Sequence, residues 1–197
     1  CMEEPAADAP SPDLFNLICN AVIQVALYVP FLVIYITLPR RGLPRVPLHK
    51  TLLLIIGGLM LMYLPAQLLD SAGFTQFLVE KTGCPEQQDV VETLQNGPVD
   101  VKVMMLIMAV IIAPITEECC FRGFVYNILK QKSSPVAAAL ASAALFSSVH
   151  ASLAQCVQLF IFGLVQCYMY EKTRSLRIPI ILHILFNAIS SVFLLTM

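Results

Sequence analysis

Residues 101–129 of the chain read VKVMMLIMAVIIAPITEECCFRGFVYNIL, an apolar run long enough to cross a lipid bilayer as a helix. Four charged residues interrupt it: Lys102 near its start, and Glu117, Glu118 and Arg122 in its second half. Ionisable side chains are costly inside a bilayer and are usually functional there. The stretch therefore predicts a transmembrane helix and, on that helix, the position of an intramembrane site.

Five further apolar runs accompany this stretch, at residues 14–38, 51–69, 135–151, 153–170 and 178–197. A bilayer core needs about 20 helical residues, so the pattern predicts an all-α, polytopic transmembrane helix bundle of about six spans. Of the 197 residues, 58% are hydrophobic and 13% are charged, whereas about a quarter of the residues in soluble domains are charged. The composition excludes an ordinary soluble enzyme, and the net charge of −1 gives no hint of a nucleic-acid partner.

The segments between the runs divide by charge. If there are six spans, one side of the membrane carries the acidic residues 1–13, predicted to be an exposed tail, and the acidic segment 70–100. The other side carries basic residues, which stay cytoplasmic as a rule, so both termini are expected outside. We expect residues 14–100 to hold two transmembrane helices and the acidic extramembrane segment, which could contain short interfacial helices. We expect residues 101–197 to form a core of about four helices. The basic residues are Arg40, Arg41, Arg45, Lys50, Lys130, Lys132, Lys172, Arg174 and Arg177.

Helical spacing separates the roles of the two adjacent glutamates. Glu118 and Arg122 are four residues apart with the acid first, the favourable order for an ion pair on a helix. We therefore expect Glu118 to be neutralised by Arg122 and both to be supporting residues. Glu117 is rotated by about 100° around the helix and has no basic residue four positions on, which leaves it as the candidate general base.

Two histidines and an asparagine complete the candidate site. His183 and Asn187 are four residues apart on the last span, and Phe146 has the same spacing to His150, so its ring can pack beneath that imidazole. A rise of about 1.5 Å per residue puts these groups at comparable depth to Glu117, so convergence on one cavity is predicted. The set suits attack of water on an amide. Glu117 and His150 could polarise the water, and His183 and Asn187 could stabilise the oxyanion.

A metal site is the alternative arrangement of the same residues. Glu117, His150 and His183 could bind zinc and leave one position open for water, as in a zinc-dependent membrane protease. The sequence contains no HExxH and no GxSxG motif. Because four residues already supply a base, a water-positioning group and two oxyanion donors, no cofactor is expected, with zinc as the open alternative.

Three motifs carry a resemblance to a known family: EExxxR at 117–122, FxxxH at 146–150 and HxxxN at 183–187. In this order on separate apolar helices, they resemble the CPBP family of intramembrane proteases, which includes CAAX prenyl endopeptidases and bacteriocin-processing Abi-type proteins. The resemblance covers about residues 101–197, which it marks as a protease-like core. It implies that Glu117 and His150 activate water and that His183 and Asn187 form the oxyanion hole. Six apparent spans, rather than the eight of eukaryotic prenyl-protein proteases, favour a shorter, prokaryotic-type member.

The expected function is therefore a glutamate-type intramembrane endopeptidase. Its expected partners are the lipid bilayer and a membrane-associated protein or peptide substrate, with prenylated substrates included, and no nucleic acid. The expected location is the plasma membrane in a prokaryote and an endomembrane in a eukaryote. Two alternatives from other classes are a non-catalytic membrane immunity or scaffold factor and a transporter that uses the Glu and His residues for protons.

Overall fold

The fold is a bundle of seven helices, seen in a computed structural model that describes residues 12–37, 47–83, 94, 97–150 and 153–196. These described residues contain no β-strand, and the predicted all-α membrane bundle is confirmed. The helices are α1 Pro12–Thr37, α2 Leu48–Ser71, α3 Phe74–Thr82, α4 Val99–Lys132, α5 Pro135–Val149, α6 Cys156–Thr173 and α7 Arg177–Thr196.

Six of these helices correspond to the six predicted spans, and α3 is the additional short one. Helices α2, α4 and α7 are each long and apolar enough to cross a bilayer. The chain is therefore an integral membrane protein, and the number of six crossings remains a prediction. The acidic residues 1–11 and residues 84–93 of the acidic segment lie outside the described residues.

One local boundary differs from the sequence prediction. The fourth span was predicted to run to residue 151, but α5 ends at Val149 and His150 caps it, with its backbone N–H still bonded to the carbonyl of Ser147. The Ser147 hydroxyl also donates to the carbonyl of Cys156 at 2.6 Å, which ties the end of α5 to the start of α6. The acidic segment does contain a short helix, α3, flanked by Gly73 and Gly83, whose φ angles of 70° and 66° favour glycine.

Helix α4 is continuous but changes its winding twice. π-helical turns at Met108–Ile112 and Phe121–Val125 lie on either side of the two glutamates. Side-chain amides bind carbonyls in both turns: Asn187 donates to the Ala109 carbonyl at 2.7 Å, and Asn127 donates to the Arg122 carbonyl at 2.9 Å. Such turns interrupt the regular ladder of helical hydrogen bonds and often occur at functional sites.

Helices α5 and α6 approach each other closely at Gly163. A Cβ atom on Gly163 would lie 2.9 Å from both the Cα and the Cβ of Ala143, too close for either helix to remain in place. Small residues permit this close approach between membrane helices. The same contact brings the Gly163 carbonyl to the Arg122 guanidinium, which donates to it at 3.1 Å.

Charged residues join the ends of α4 and α6. The Glu171 carboxylate accepts hydrogen bonds from Lys130 Nζ at 2.5 and 2.6 Å and from the Tyr126 hydroxyl at 3.0 Å, and it pairs with Arg174. Burial acts to raise the pKa of Glu171, but these donors and cations outweigh it, so the pKa is lower than usual. This cluster lies at the end of the bundle where α4 and α6 end and where α5 and α7 begin.

We predict that Gly163→Val destabilises the protein by about 1–3 kcal/mol, because the added methyl groups must push α5 and α6 apart. The measurement is the apparent Tm of detergent-solubilised protein, taken from the monodisperse fraction left after heating. The matched control is Gly57→Ala on α2, where a Cβ meets no atom within 4 Å. Equal Tm values for the two variants would show that the helix contact at Gly163 is not tight.

Candidate active site

A cavity of about 420 Å³ lies inside the bundle and contains the four predicted catalytic residues. Glu117 enters it from α4, His150 from the end of α5, and His183 and Asn187 from α7. Glu117 and His183 are buried, whereas His150 and Asn187 are partly exposed. Residues from three separate sequence motifs thus line one cavity.

Beside this cavity, Glu118 and Arg122 form an ion pair that is fully buried. Arg122 Nη1 lies 2.9 Å from Glu118 Oε1, and both side chains have an exposed fraction of 0%. The guanidinium also donates to the Gly163 carbonyl and lies 4.7 Å from the centre of the Phe146 ring. Arg122 therefore holds α4 against both α5 and α6, which agrees with the supporting role expected for the pair.

A further contact of Glu118 did not follow from the sequence. Glu118 Oε1 also lies 2.9 Å from His183 Nδ1, while His183 Nε2 lies 3.9 Å from Glu117 Oε2. The His183 ring therefore stands between the two glutamates. Helical spacing cannot indicate this contact, because Glu118 and His183 are 65 positions apart and meet only when α4 packs against α7.

Both imidazoles are oriented through Nδ1. His150 Nδ1 lies 2.7 Å from the Phe146 carbonyl, and His183 Nδ1 lies 2.9 Å from the Glu118 carboxylate. Because these oxygens accept hydrogen bonds, we assign the hydrogen to Nδ1 in each ring. Nε2 is then the nitrogen that each histidine can offer to the cavity, as an acceptor when the ring is neutral and as a donor when it is protonated.

Aromatic rings surround the two imidazoles. The Phe146 ring lies 4.6 Å from that of His150, as its spacing predicted, and 5.5 Å from that of Phe162. Phe162 in turn lies 4.6 Å from the His183 ring in an edge-on arrangement. Sequence reasoning missed Phe162, because an aromatic residue in an uncharged span carries no signal of its own. The rings give the site an apolar wall that strengthens polar interactions within it.

Asn187 is held by α4. Its amide nitrogen donates a hydrogen bond of 2.7 Å to the Ala109 carbonyl, and this bond fixes the orientation of the side chain. The second N–H hydrogen of the amide is left for another acceptor. One turn of α7 further on, Ser190 is bonded to the Tyr63 hydroxyl of α2 at 2.9 Å, and Tyr63 also donates to the Phe186 carbonyl. Helices α2 and α4 together set the position of the face of α7 that carries Asn187.

The fold and site define a helical membrane protein with a buried Glu/His centre. Residues 99–189 match the model of the family described as Type II CAAX prenyl endopeptidase Rce1-like. The chain is also 29% identical over 100 residues to "Putative membrane peptidase YdiL" of Bacillus subtilis (strain 168). That alignment covers 51% of this chain and 39% of the relative, so the chain matches about two fifths of the relative's length. No solved structure matches the chain. Both comparisons support the predicted resemblance of residues 99–189 to the CPBP family of membrane proteases.

We predict that Arg122→Met destabilises the protein by about 3–5 kcal/mol, because it leaves the Glu118 charge buried without its cation. The double variant Glu118→Gln/Arg122→Met should recover part of this loss, since it removes both charges. Apparent Tm values in detergent measure the effect, with Lys132→Met, which removes an exposed cation, as the matched control. An Arg122→Met variant as stable as the control would show that the pair does not hold the helices together.

Proposed function

We propose that this chain is a glutamate-type intramembrane endopeptidase that hydrolyses a peptide bond of a membrane-associated protein or peptide. The observation that carries the proposal is the single cavity lined by Glu117, His150, His183 and Asn187. These residues lie within the part of the chain that matches a protease family. Their functional groups are those needed for water attack on an amide: a carboxylate, two imidazoles and an amide donor.

In the proposed reaction, water lies between the Glu117 carboxylate and His150 Nε2. Glu117 takes a proton from the water, and the water oxygen attacks the carbonyl carbon of the peptide bond. The carbonyl oxygen becomes an oxyanion, which accepts hydrogen bonds from Asn187 Nδ2 and His183 Nε2. When the intermediate collapses, the C–N bond breaks, and Glu117 passes its proton to the leaving amine. The products are a carboxylic acid and an amine, and no acyl-enzyme forms.

The donor role of His183 depends on Glu118. With Nδ1–H bonded to the Glu118 carboxylate, His183 can donate from Nε2 only as an imidazolium. Ionised Glu117 and Glu118 then balance protonated His183 and Arg122, so the group carries no net charge inside the bilayer. Glu118 is in this scheme a positioning residue, which holds the His183 ring through Nδ1.

The proposed substrate follows from the location of the cavity. It lies within a membrane bundle, so the substrate must reach it from the bilayer or its surface, as a membrane-associated polypeptide does. The proposal includes prenylated substrates because the description of the matching family names a CAAX prenyl endopeptidase. We propose a multi-pass protein of the plasma membrane in a prokaryote, or of an endomembrane in a eukaryote.

We predict that Glu117→Gln lowers the cleavage rate by about 10²–10⁴-fold, because the amide cannot accept the water proton. The measurement compares new N-termini in membrane fractions of cells with equal amounts of wild-type or variant chain. Peptides identified in this way are then cleaved by purified protein in liposomes. The control is Glu80→Gln, the same change at an exposed position on α3.

Two outcomes of this comparison decide between the function classes. Termini that need Glu117 but not Glu80 would establish proteolysis. A membrane immunity or scaffold factor should instead bind its peptide and keep its biological effect when Glu117 is replaced. If wild type and Glu117→Gln gave the same termini, the endopeptidase proposal would be wrong.

We also predict that cleavage needs no metal, because the water already has a protein base in Glu117. Among the described residues, no three His, Cys, Asp or Glu side chains gather at metal-binding distance. The measurement is cleavage of the identified peptide after exhaustive chelation, with elemental analysis of the purified protein. Activity that is lost on chelation and regained with zinc, together with one zinc per chain, would establish the zinc-dependent protease instead.

A further inference from the structure

A glutamine amide on the wall of the cavity takes no part in the proposed reaction. Gln158 lines the cavity from the first turn of α6, and it is partly buried. Other polar groups of the lining are engaged within the bundle: Asn187 donates to the Ala109 carbonyl, and Ser190 is bonded to the Tyr63 hydroxyl. Gln158, in contrast, has no hydrogen-bond partner among the described residues.

The amide of Gln158 is costly to keep in a membrane bundle without a partner. Polar groups within transmembrane segments carry an energetic cost and usually face functional cavities. As the third residue of α6, Gln158 is placed where a glutamine can bind the backbone at the start of its own helix, yet the described part of the chain shows no such bond. Its two N–H hydrogens and its carbonyl oxygen are therefore offered to the cavity.

The packing of α6 against α7 places this amide near the proposed oxyanion donors. The Phe162 ring of α6 lies 4.6 Å from the His183 ring and 5.0 Å from the Phe186 ring. The two helices run in opposite directions, so the preceding turn of α6, which carries Gln158, is level with Asn187 and the turn of α7 that follows it. One helical turn advances about 5.4 Å, which is the approximate distance along the bundle from the oxyanion donors to Gln158.

An extended polypeptide spans this distance with a short piece of its main chain. It advances about 3.3 Å per residue, so one helical turn corresponds to about two residues. A peptide whose cleaved carbonyl lies between His183 and Asn187 would then have a backbone amide beside Gln158. The donors and the acceptor of a glutamine side chain are complementary to the C=O and N–H groups of that backbone.

We infer that Gln158 binds the main chain of the substrate, about two residues from the cleaved bond. The inference rests on the proposed endopeptidase function, which makes the ligand of the cavity a polypeptide. Gln158 is in this assignment a substrate-binding residue and takes no part in proton transfer. It selects extended segments, because a helical segment already uses its backbone N–H and C=O groups in its own hydrogen bonds.

The experiment is a double-mutant cycle between Gln158 and the backbone of the substrate. A peptide identified through the Glu117 comparison is synthesised as a series in which an ester replaces one amide at a time, over three residues on either side of the cleaved bond. Each ester lacks the N–H donor of the amide. Binding of each fluorescent peptide is measured in detergent with Glu117→Gln protein, with and without Gln158→Met, which keeps the length of the side chain. Cleavage of the all-amide peptide by otherwise wild-type protein and by Gln158→Met gives kcat and KM.

We expect Gln158→Met to weaken binding of the all-amide peptide about 10-fold, as the loss of one or two neutral hydrogen bonds would do. In cleavage, KM should rise more than kcat falls. The ester about two residues from the cleaved bond should weaken binding when Gln158 is present and have no further effect in Gln158→Met. The matched control is Gln76→Met at an exposed position on α3, which should bind every peptide as the parent protein does.

The inference is overturned if the effects of Gln158→Met and of every ester simply add, or if Gln158→Met binds the all-amide peptide as tightly as the control. Gln158→Ala replaces Gln158→Met if that variant is not monodisperse. If no terminus in the membrane fractions depends on Glu117, the endopeptidase proposal and this inference fail together. Additive effects alongside Glu117-dependent cleavage overturn this inference alone.

Discussion

The buried ion pair of Glu118 and Arg122 is the constraint around which the site is built. Two opposite charges with no exposure to solvent are tolerable only when each is hydrogen-bonded by its surroundings. Arg122 donates to the Gly163 carbonyl and lies over the Phe146 ring, and Glu118 Oε1 is bonded to His183, whereas Glu118 Oε2 and Arg122 Nε find no partner among the described residues. Satisfying one ion pair on α4 therefore fixes α5, α6 and α7 relative to it, and it delivers His183 to the cavity.

On both sides of this ion pair, the winding of α4 changes where a side-chain amide binds the helix backbone. A regular helix uses its carbonyls in its own ladder and has few to offer to a neighbouring side chain. The π-helical turns at Met108–Ile112 and Phe121–Val125 lie where Asn187 and Asn127 bring amide groups to the helix. Asn187 is consequently anchored by backbone rather than by another side chain, which suits a donor that must keep its direction during a reaction.

Sequence patterns could predict those features that lie within one helix. The Glu118–Arg122 pair and the Phe146–His150 contact both have a spacing of four residues, and both are present. The apolar runs predicted the helices to within a few residues, except that α5 ends before His150. Contacts between helices could not be predicted, since the bond from His183 to Glu118 depends on how α4 and α7 pack. The roles of the four catalytic candidates are likewise proposals, because geometry shows where they lie and not which proton moves.

The chemistry and the walls of the cavity come from different parts of the chain. The family match begins at residue 99, yet α2 supplies Met62 and Ala66 to the cavity. Helix α2 packs closely against α7, because a Cβ on Gly58 would lie 2.7 Å from a methyl group of Leu182, next to His183. The hydroxyl of Tyr63 also binds the α7 backbone one residue before Asn187. The N-terminal helices are thus part of the site's structure, although they carry none of the three motifs. The candidate reacting groups can therefore be found from short motifs, whereas the shape of the cavity around them depends on packing that no motif records.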